Sequence, residues 1–212
     1  MNATVRFWRV MPFVLGVLLT LEEPAQAFPV AIQISGNVTS AGGNSLPDTI
    51  HVGDIFTGIY TYDSETPDSD DSAKRGKYLH SAPYGISLFL GGFEFRTDIN
   101  HTDQFVVSIA NDVVYNRTYD EYAVTSQKNS PLLNGSAINY ITWQLSDNTH
   151  SAFSAIDLPI EAPILSQWNY NYFETSGPDL WIRGTVTQAV LIPEPATMLL
   201  LSLGGLLVRR KR

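Results

Sequence analysis

Asp54-Ile-Phe-Thr-Gly-Ile-Tyr-Thr-Tyr62 places Phe56, Tyr60 and Tyr62 on one face of an extended chain and Ile55 and Ile59 on the other. A period of two is the signature of a β-strand, because successive side chains of a strand point to opposite faces. The same alternation governs the sequence on both sides. Upstream, a strand runs from Val30 to Thr39, and Gly42, Gly43 and Pro47 mark the loop after it. Downstream, Tyr84 to Leu90 and Phe93 to Thr97 flank Gly91-Gly92, a two-residue hairpin turn in which glycine supplies positive φ without strain. Gln104 to Ala110, Tyr119 to Thr125, Asn139 to Leu145, Trp168 to Phe173 and Leu180 to Leu191 complete the set, separated by Asn, Asp, Gly and Pro. Ile156 to Pro163 carries Pro159 and Pro163, which lack ladder donors, so it reads as an extended connection along an edge. No segment of useful length keeps a helical period. The pattern predicts an all-β domain, an antiparallel β-sandwich or jelly roll.

Two of these strands echo each other. Ile34-Ser-Gly36-Asn-Val38-Thr39 and Ile182-Arg-Gly184-Thr-Val186-Thr187 come from the first and last strands. Antiparallel pairing of the two closes the domain and brings both termini to one edge; coincidence between two Val/Thr-rich strands is the alternative.

The two ends of the 212-residue chain differ from its middle. Residues 1–27 place Arg6 and Arg9 before the apolar run Val10 to Leu21, and Ala25 and Ala27 follow it. That order is a secretory signal peptide, with cleavage expected after Ala27 by signal peptidase following passage through the Sec machinery. Residues 191–212 hold Pro193-Glu194-Pro195, the apolar run Ala196 to Val208, and the basic cluster Arg209, Arg210, Lys211 and Arg212. The basic end reads as a cytoplasmic anchor for a short transmembrane helix. At about 1.5 Å per residue the run reaches only about 20 Å, short for a permanent span.

The domain between them, residues 28–190, is acidic. From Phe28 to Ile192 there are seven basic and 18 acidic residues, a net charge near −11. Such a surface excludes nucleic acid as a partner, since phosphate binding needs stripes of Lys and Arg. Cations and polymers such as sugars remain open. There is no cysteine, which excludes disulfides, thiol chemistry and Cys-based zinc sites.

The tail resembles the PEP-CTERM sorting signal of exported proteins from Gram-negative bacteria that make extracellular polysaccharide. Its three parts match in order: Pro193-Glu194-Pro195, the Leu-rich segment with Gly204 and Gly205, and the basic terminus. The resemblance implies processing by exosortase, a membrane-embedded transpeptidase-like enzyme, near the Pro-Glu-Pro motif. It implies an exported protein, transiently held in the inner membrane, then placed at the cell surface or outside the cell. A structural or adhesive role in the exopolysaccharide or biofilm layer is the expectation that follows.

Two local clusters invite a chemical reading. Asp63, Glu65, Asp68, Asp70 and Asp71 lie in one short run, and calcium takes six to eight oxygen ligands. The EF-hand glycine and terminal glutamate are missing, and Lys74, Arg75 and Lys77 follow at once, so a solvated loop competes with a calcium site. Trp168, Tyr170 and Tyr172 alternate with Asn169 and Asn171, which puts three aromatics on one strand face. That row suits a sugar platform in a lectin-like module, and it equally suits aromatics filling a core. Apart from calcium no cofactor is indicated. The four histidines are scattered, Ser87 lacks the glycine pattern of a nucleophile elbow, and no spacing singles out a pair of carboxylates. The expectation is a protein without enzymatic activity, a polysaccharide-modifying enzyme being the least favoured reading.

Overall fold

A computed structural model describes residues 29–193 except 115, 116 and 134. The expected signal peptide and its expected cleavage residues Ala25 and Ala27 lie outside the described residues. So do Glu194, Pro195, the apolar run and Arg209 to Arg212. Among the described residues no helix is long and apolar enough to cross a membrane.

Ten strands form in chain order: β1 (Pro29–Gly42), β2 (Ile55–Asp63), β3 (Arg75–His80), β4 (Gly85–Leu90), β5 (Phe93–Thr97), β6 (Phe105–Val114), β7 (Thr118–Leu133), β8 (Ser136–Asp147), β9 (Tyr170–Gly177) and β10 (Leu180–Leu191). Every pairing is antiparallel. Eight strands make a closed circuit in the order β7-β5-β4-β2-β1-β10-β9-β8 and back to β7. The expected sandwich or jelly roll is therefore corrected to a closed β-barrel with two extra strands. A sandwich needs two sheets that face each other, whereas here one hydrogen-bonded wall runs round to meet itself. Closure leaves the ring without free edges.

β7 makes this possible by its length. One of its edges pairs with β6 from Thr118 to Ser126 and with β5 at Asn129 and Ser130. β3 then pairs with β6 outside the ring. The β5–β7 seam is the narrowest, and the inward hydroxyls of Thr97 and Ser126, 2.7 Å apart, reinforce it.

The first and last strands pair as their echo predicts. Gly36 lies opposite Val186 and Val38 opposite Gly184. The two glycines leave room for one ring: a Cβ on Gly36 would stand 2.4 Å from the Phe56 ring, and one on Gly184 would stand 2.7 Å from it. Phe56 in turn stacks on Phe173 at 4.3 Å. The hairpin at Gly91-Gly92 also forms as read, with φ of 59° and 86°.

Inward positions fill the barrel with large side chains. Trp143, Tyr60, Tyr122, Phe56 and Phe173 are fully buried, so the interior is a packed core and no channel runs through it. The Tyr60 and Tyr122 hydroxyls bond each other at 2.9 Å, and the Trp143 ring meets both edge-on. Each of these two tyrosine hydroxyls thus has a partner, which removes the penalty of desolvating it alone.

Antiparallel register puts one set of features at the same end. β1 begins beside the end of β2, with Val30 opposite Tyr62, and beside the end of β10, where the Ile192 amide donates to the Ala31 carbonyl at 2.8 Å. Chain entry and chain exit are therefore neighbours. The connection from β8 to β9 covers this terminal end. Tyr62 and Tyr78 donate from their hydroxyls to the carbonyls of Pro159 and Ile156, and Leu158 and Trp168 are buried beneath it. As the prolines require, Ile156 to Pro163 stays out of the ladders, but it lies over the barrel's end rather than along an edge.

Candidate functional site

The outer wall near the terminal end carries a cleft of about 510 Å³ across β7, β8 and β9. Strand register builds it. Because Tyr122, Leu145 and Phe173 point inward, their neighbours Glu121, Ser146 and Tyr172 point out. Glu121 lies opposite Ser146, and Ser146 lies opposite Tyr170. One step along, Gln144 lies opposite Tyr172. The side-chain amide of Gln144 donates to the Glu121 carboxylate at 2.7 Å, which fixes both groups on the cleft floor. Tyr170 and Tyr172 stack side by side at 5.8 Å with ring planes 19° apart, and Tyr170 is 47% exposed. The Tyr172 hydroxyl donates to Glu174, whose carboxylate also holds Arg183 at 3.1 Å. Two tyrosine rings beside an amide, a carboxylate, Asn148 and Asn169 offer an apolar face flanked by donors and acceptors. A sugar ring presents the complement, C–H groups on its faces and hydroxyls at its edge.

The expected platform is thus divided. Tyr170 and Tyr172 share the outer face, but Trp168 is only 9% exposed and meets Phe153 edge-on at 5.3 Å. A short 3-10 turn, Leu165–Gln167, precedes it, so β9 starts at Tyr170 and Trp168 falls outside the alternation. Its indole nitrogen is buried without a partner among the described residues. Trp168 serves the core of the covering connection.

The acidic run is organised by its own backbone. Asp63 accepts from the Glu65 amide, Asp68 from the amides of Asp70 and Lys77, and Asp70 from the amide of Ser72. The three bonds to amides two residues on are the Asx turns expected of aspartates in loops, and the Lys77 amide ties Asp68 to β3. Among the described residues no three His, Asp or Glu side chains are brought together in a way that would hold a metal ion.

Other ionisable groups are dispersed. His51, His101 and His150 each stand beside a surface aspartate, Asp54, Asp98 and Asp112 respectively. His80 is buried among Tyr62, Tyr84 and Phe105, and its Nδ1 is 3.1 Å from the Thr66 hydroxyl. Burial pushes its pKa down to about 4, against a smaller upward pull from Asp63. Ser87 bonds Glu94 at 2.7 Å on the outer wall.

Arg117, Glu121 and Gln144 are among the cleft residues that the sequence does not single out. Arg117 stands just before β7, Glu121 on β7 and Gln144 on β8, and only the neighbour relations of β7, β8 and β9 unite them. Alternation marks them as outward and says no more.

A family model described as the PEP-CTERM protein-sorting motif matches residues 191–212. Of the three parts of that signal, Pro193 alone falls among the described residues, just beyond β10. The motif implies export, processing by exosortase and sorting through a C-terminal anchor. Neither the curated proteins nor the solved structures contain a match to this chain.

Proposed function

The chain carries a PEP-CTERM sorting signal at its C-terminus, and we propose from this premise that its barrel is an adhesive module of the exopolysaccharide layer. On this reading the signal peptide directs the chain through the Sec machinery and exosortase acts at Pro193-Glu194-Pro195. The apolar run and Arg209 to Arg212 hold the substrate in the membrane until then. Proline on both sides of Glu194 favours an extended backbone, which a processing enzyme can grip.

The observation that supports adhesion is the Tyr170–Tyr172 stack beside the Gln144–Glu121 pair. Stacked aromatics give a ring a flat apolar surface, and the fixed polar pair orients its hydroxyls. The cleft runs across three strands of the outer wall, as suits holding one stretch of a long polymer. A glycan array probed with the full chain in detergent tests the reading. Binding to polysaccharide that falls at least fivefold in Tyr170→Ala, with an unchanged melting temperature, is the expected result. Equal retention by the variant removes the tyrosine face from the account.

A further inference from the structure

The cleft does not stop at β7. A second depression of about 310 Å³ lies against it over β3, β6 and β7, and Tyr119 and Glu121 line both. Cross-strand register makes the two continuous. Lys77, Ser108, Ala123, Gln144 and Tyr172 stand opposite one another on β3, β6, β7, β8 and β9, and all face outward. The adjacent row runs Arg75, Ala110, Glu121, Ser146, Tyr170. Ser108 and Ala123 in one row and Ala110 and Ser146 in the other are small, and with the Gln144–Glu121 pair they floor a trough between the basic strand and the tyrosine strand. Five strands at about 4.8 Å spacing give it a length of about 19 Å.

Charge is distributed unevenly along this trough. The domain holds seven cations against 18 anions. Arg96 and Arg183 are paired with Glu94 and Glu174, Lys128 sits in the field of Asp98, and Lys74 donates to the Asp112 carbonyl. The remaining three, Arg75, Lys77 and Arg117, all line the trough. Among the described residues none of them has an ion pair. The trough also holds two carboxylates, Glu121 bonded by Gln144 and Asp70 by the Ser72 amide, so its three cations leave it about one charge positive in a domain near −11. Among the described residues, three of the five domain cations without an ion pair thus stand in one groove of an otherwise acidic protein, which favours an anion there.

We infer that the trough binds an anionic polysaccharide, with sugar carboxylates at Arg75, Lys77 and Arg117 and a ring on Tyr170. The inference rests on the adhesive reading above and adds the charge class of the ligand and the second half of its site. Arginine suits the task because its planar fork matches a carboxylate.

The test uses the full chain in detergent with two soluble probes of similar length, polygalacturonate and neutral dextran. Polygalacturonate is expected to bind at least tenfold more tightly, and raising the salt from about 50 to 500 mM should erase most of that advantage. The triple variant Arg75→Gln, Lys77→Gln, Arg117→Gln is expected to lose the preference while keeping its melting temperature, since all three side chains are at the surface. Tyr170→Ala should weaken both probes. Equal binding of the two polymers, or a preference that survives in the triple variant, overturns the anionic trough and leaves the adhesive reading standing. Failure of both polymers to bind overturns the trough and the adhesive reading together.

Discussion

Asp120 and Asp147 are direct cross-strand partners on β7 and β8, and both are fully buried at the terminal end of the barrel. Among the described residues neither carboxylate has an ion pair. Asp147 accepts from the amides and hydroxyls of Thr149 and Ser151, and Asp120 accepts from the amides of Asp112, Ala152 and Phe153. Together they receive the first turn of the β8–β9 connection and fix it over the core.

Burial pushes the Asp147 carboxyl up, but its four donors outweigh that and hold its pKa at about 2 against an ordinary 3.8. A carboxyl with a lowered folded pKa contributes stability above its unfolded value and loses it as pH falls through the folded one. Asp147→Asn turns one acceptor into a donor facing buried amides. It is expected to cost about 1–3 kcal/mol at neutral pH and to flatten the stability profile between pH 4 and 2. Urea unfolding across that range measures both.

His80 works in the opposite sense. Its pKa falls from 6.5 to about 4 on folding, so the unfolded chain takes up its proton first. Stability is then complete above about pH 6.5 and declines as pH falls towards 4, by up to about 3 kcal/mol. His80→Phe, set among three aromatic rings, is expected to remove this slope. A variant whose denaturation midpoint still falls between pH 7 and 4.5 as in the parent chain disproves the assignment.

The glycines under Phe56 have no spare volume. A Cβ on Gly36 would also stand 2.2 Å from the Thr185 carbonyl oxygen, which is backbone and cannot turn aside. Gly36→Ala is expected to destabilise by about 3 kcal/mol or more, at the upper end of overpacking costs. Gly184→Ala meets the same ring and should cost a similar amount. Phe56→Leu in the Gly36→Ala background should recover part of the loss, a coupling that a double-mutant cycle reads directly.

Trp168 and Tyr170 should separate cleanly. Trp168→Ala removes a buried ring and is expected to lower stability by about 3–5 kcal/mol. Tyr170→Ala is expected to leave stability within about 0.5 kcal/mol, as surface changes do, while weakening glycan binding. Thermal melts and binding curves on the two variants show which residue belongs to the core and which to the face.

Most strands were legible because their inward positions are large and apolar, as at Phe56, Tyr60 and Tyr62. β3 was not, and its residues show why. Its inward side chains are Gly76, Tyr78 and His80, and it follows directly on an acidic run, so no apolar period announces it. The terminal pairing was readable from the shared Gly-x-Val spacing of β1 and β10. Barrel and sandwich share the same alternation and turn spacing. They differ in which edges meet, and the deciding contacts, β5 with β7 and β7 with β8, join residues whose own sequence carries no mark of the partner. The trough fared likewise. Tyr170 and Tyr172 stood out as a row, but Arg75, Glu121 and Gln144 become a site only through register across four strands.

The placing of the last strand has a mechanical meaning. β10 runs between β1 and β9 and leaves the barrel along its own axis at Leu191. When the C-terminus is held and the barrel is pulled away from it, force passes along β10 parallel to its neighbours. The bonds of both ladders then carry the load in shear, all at once, whereas an edge strand would be unzipped one bond at a time. A tether attached at this point resists extraction of the strand that bears it.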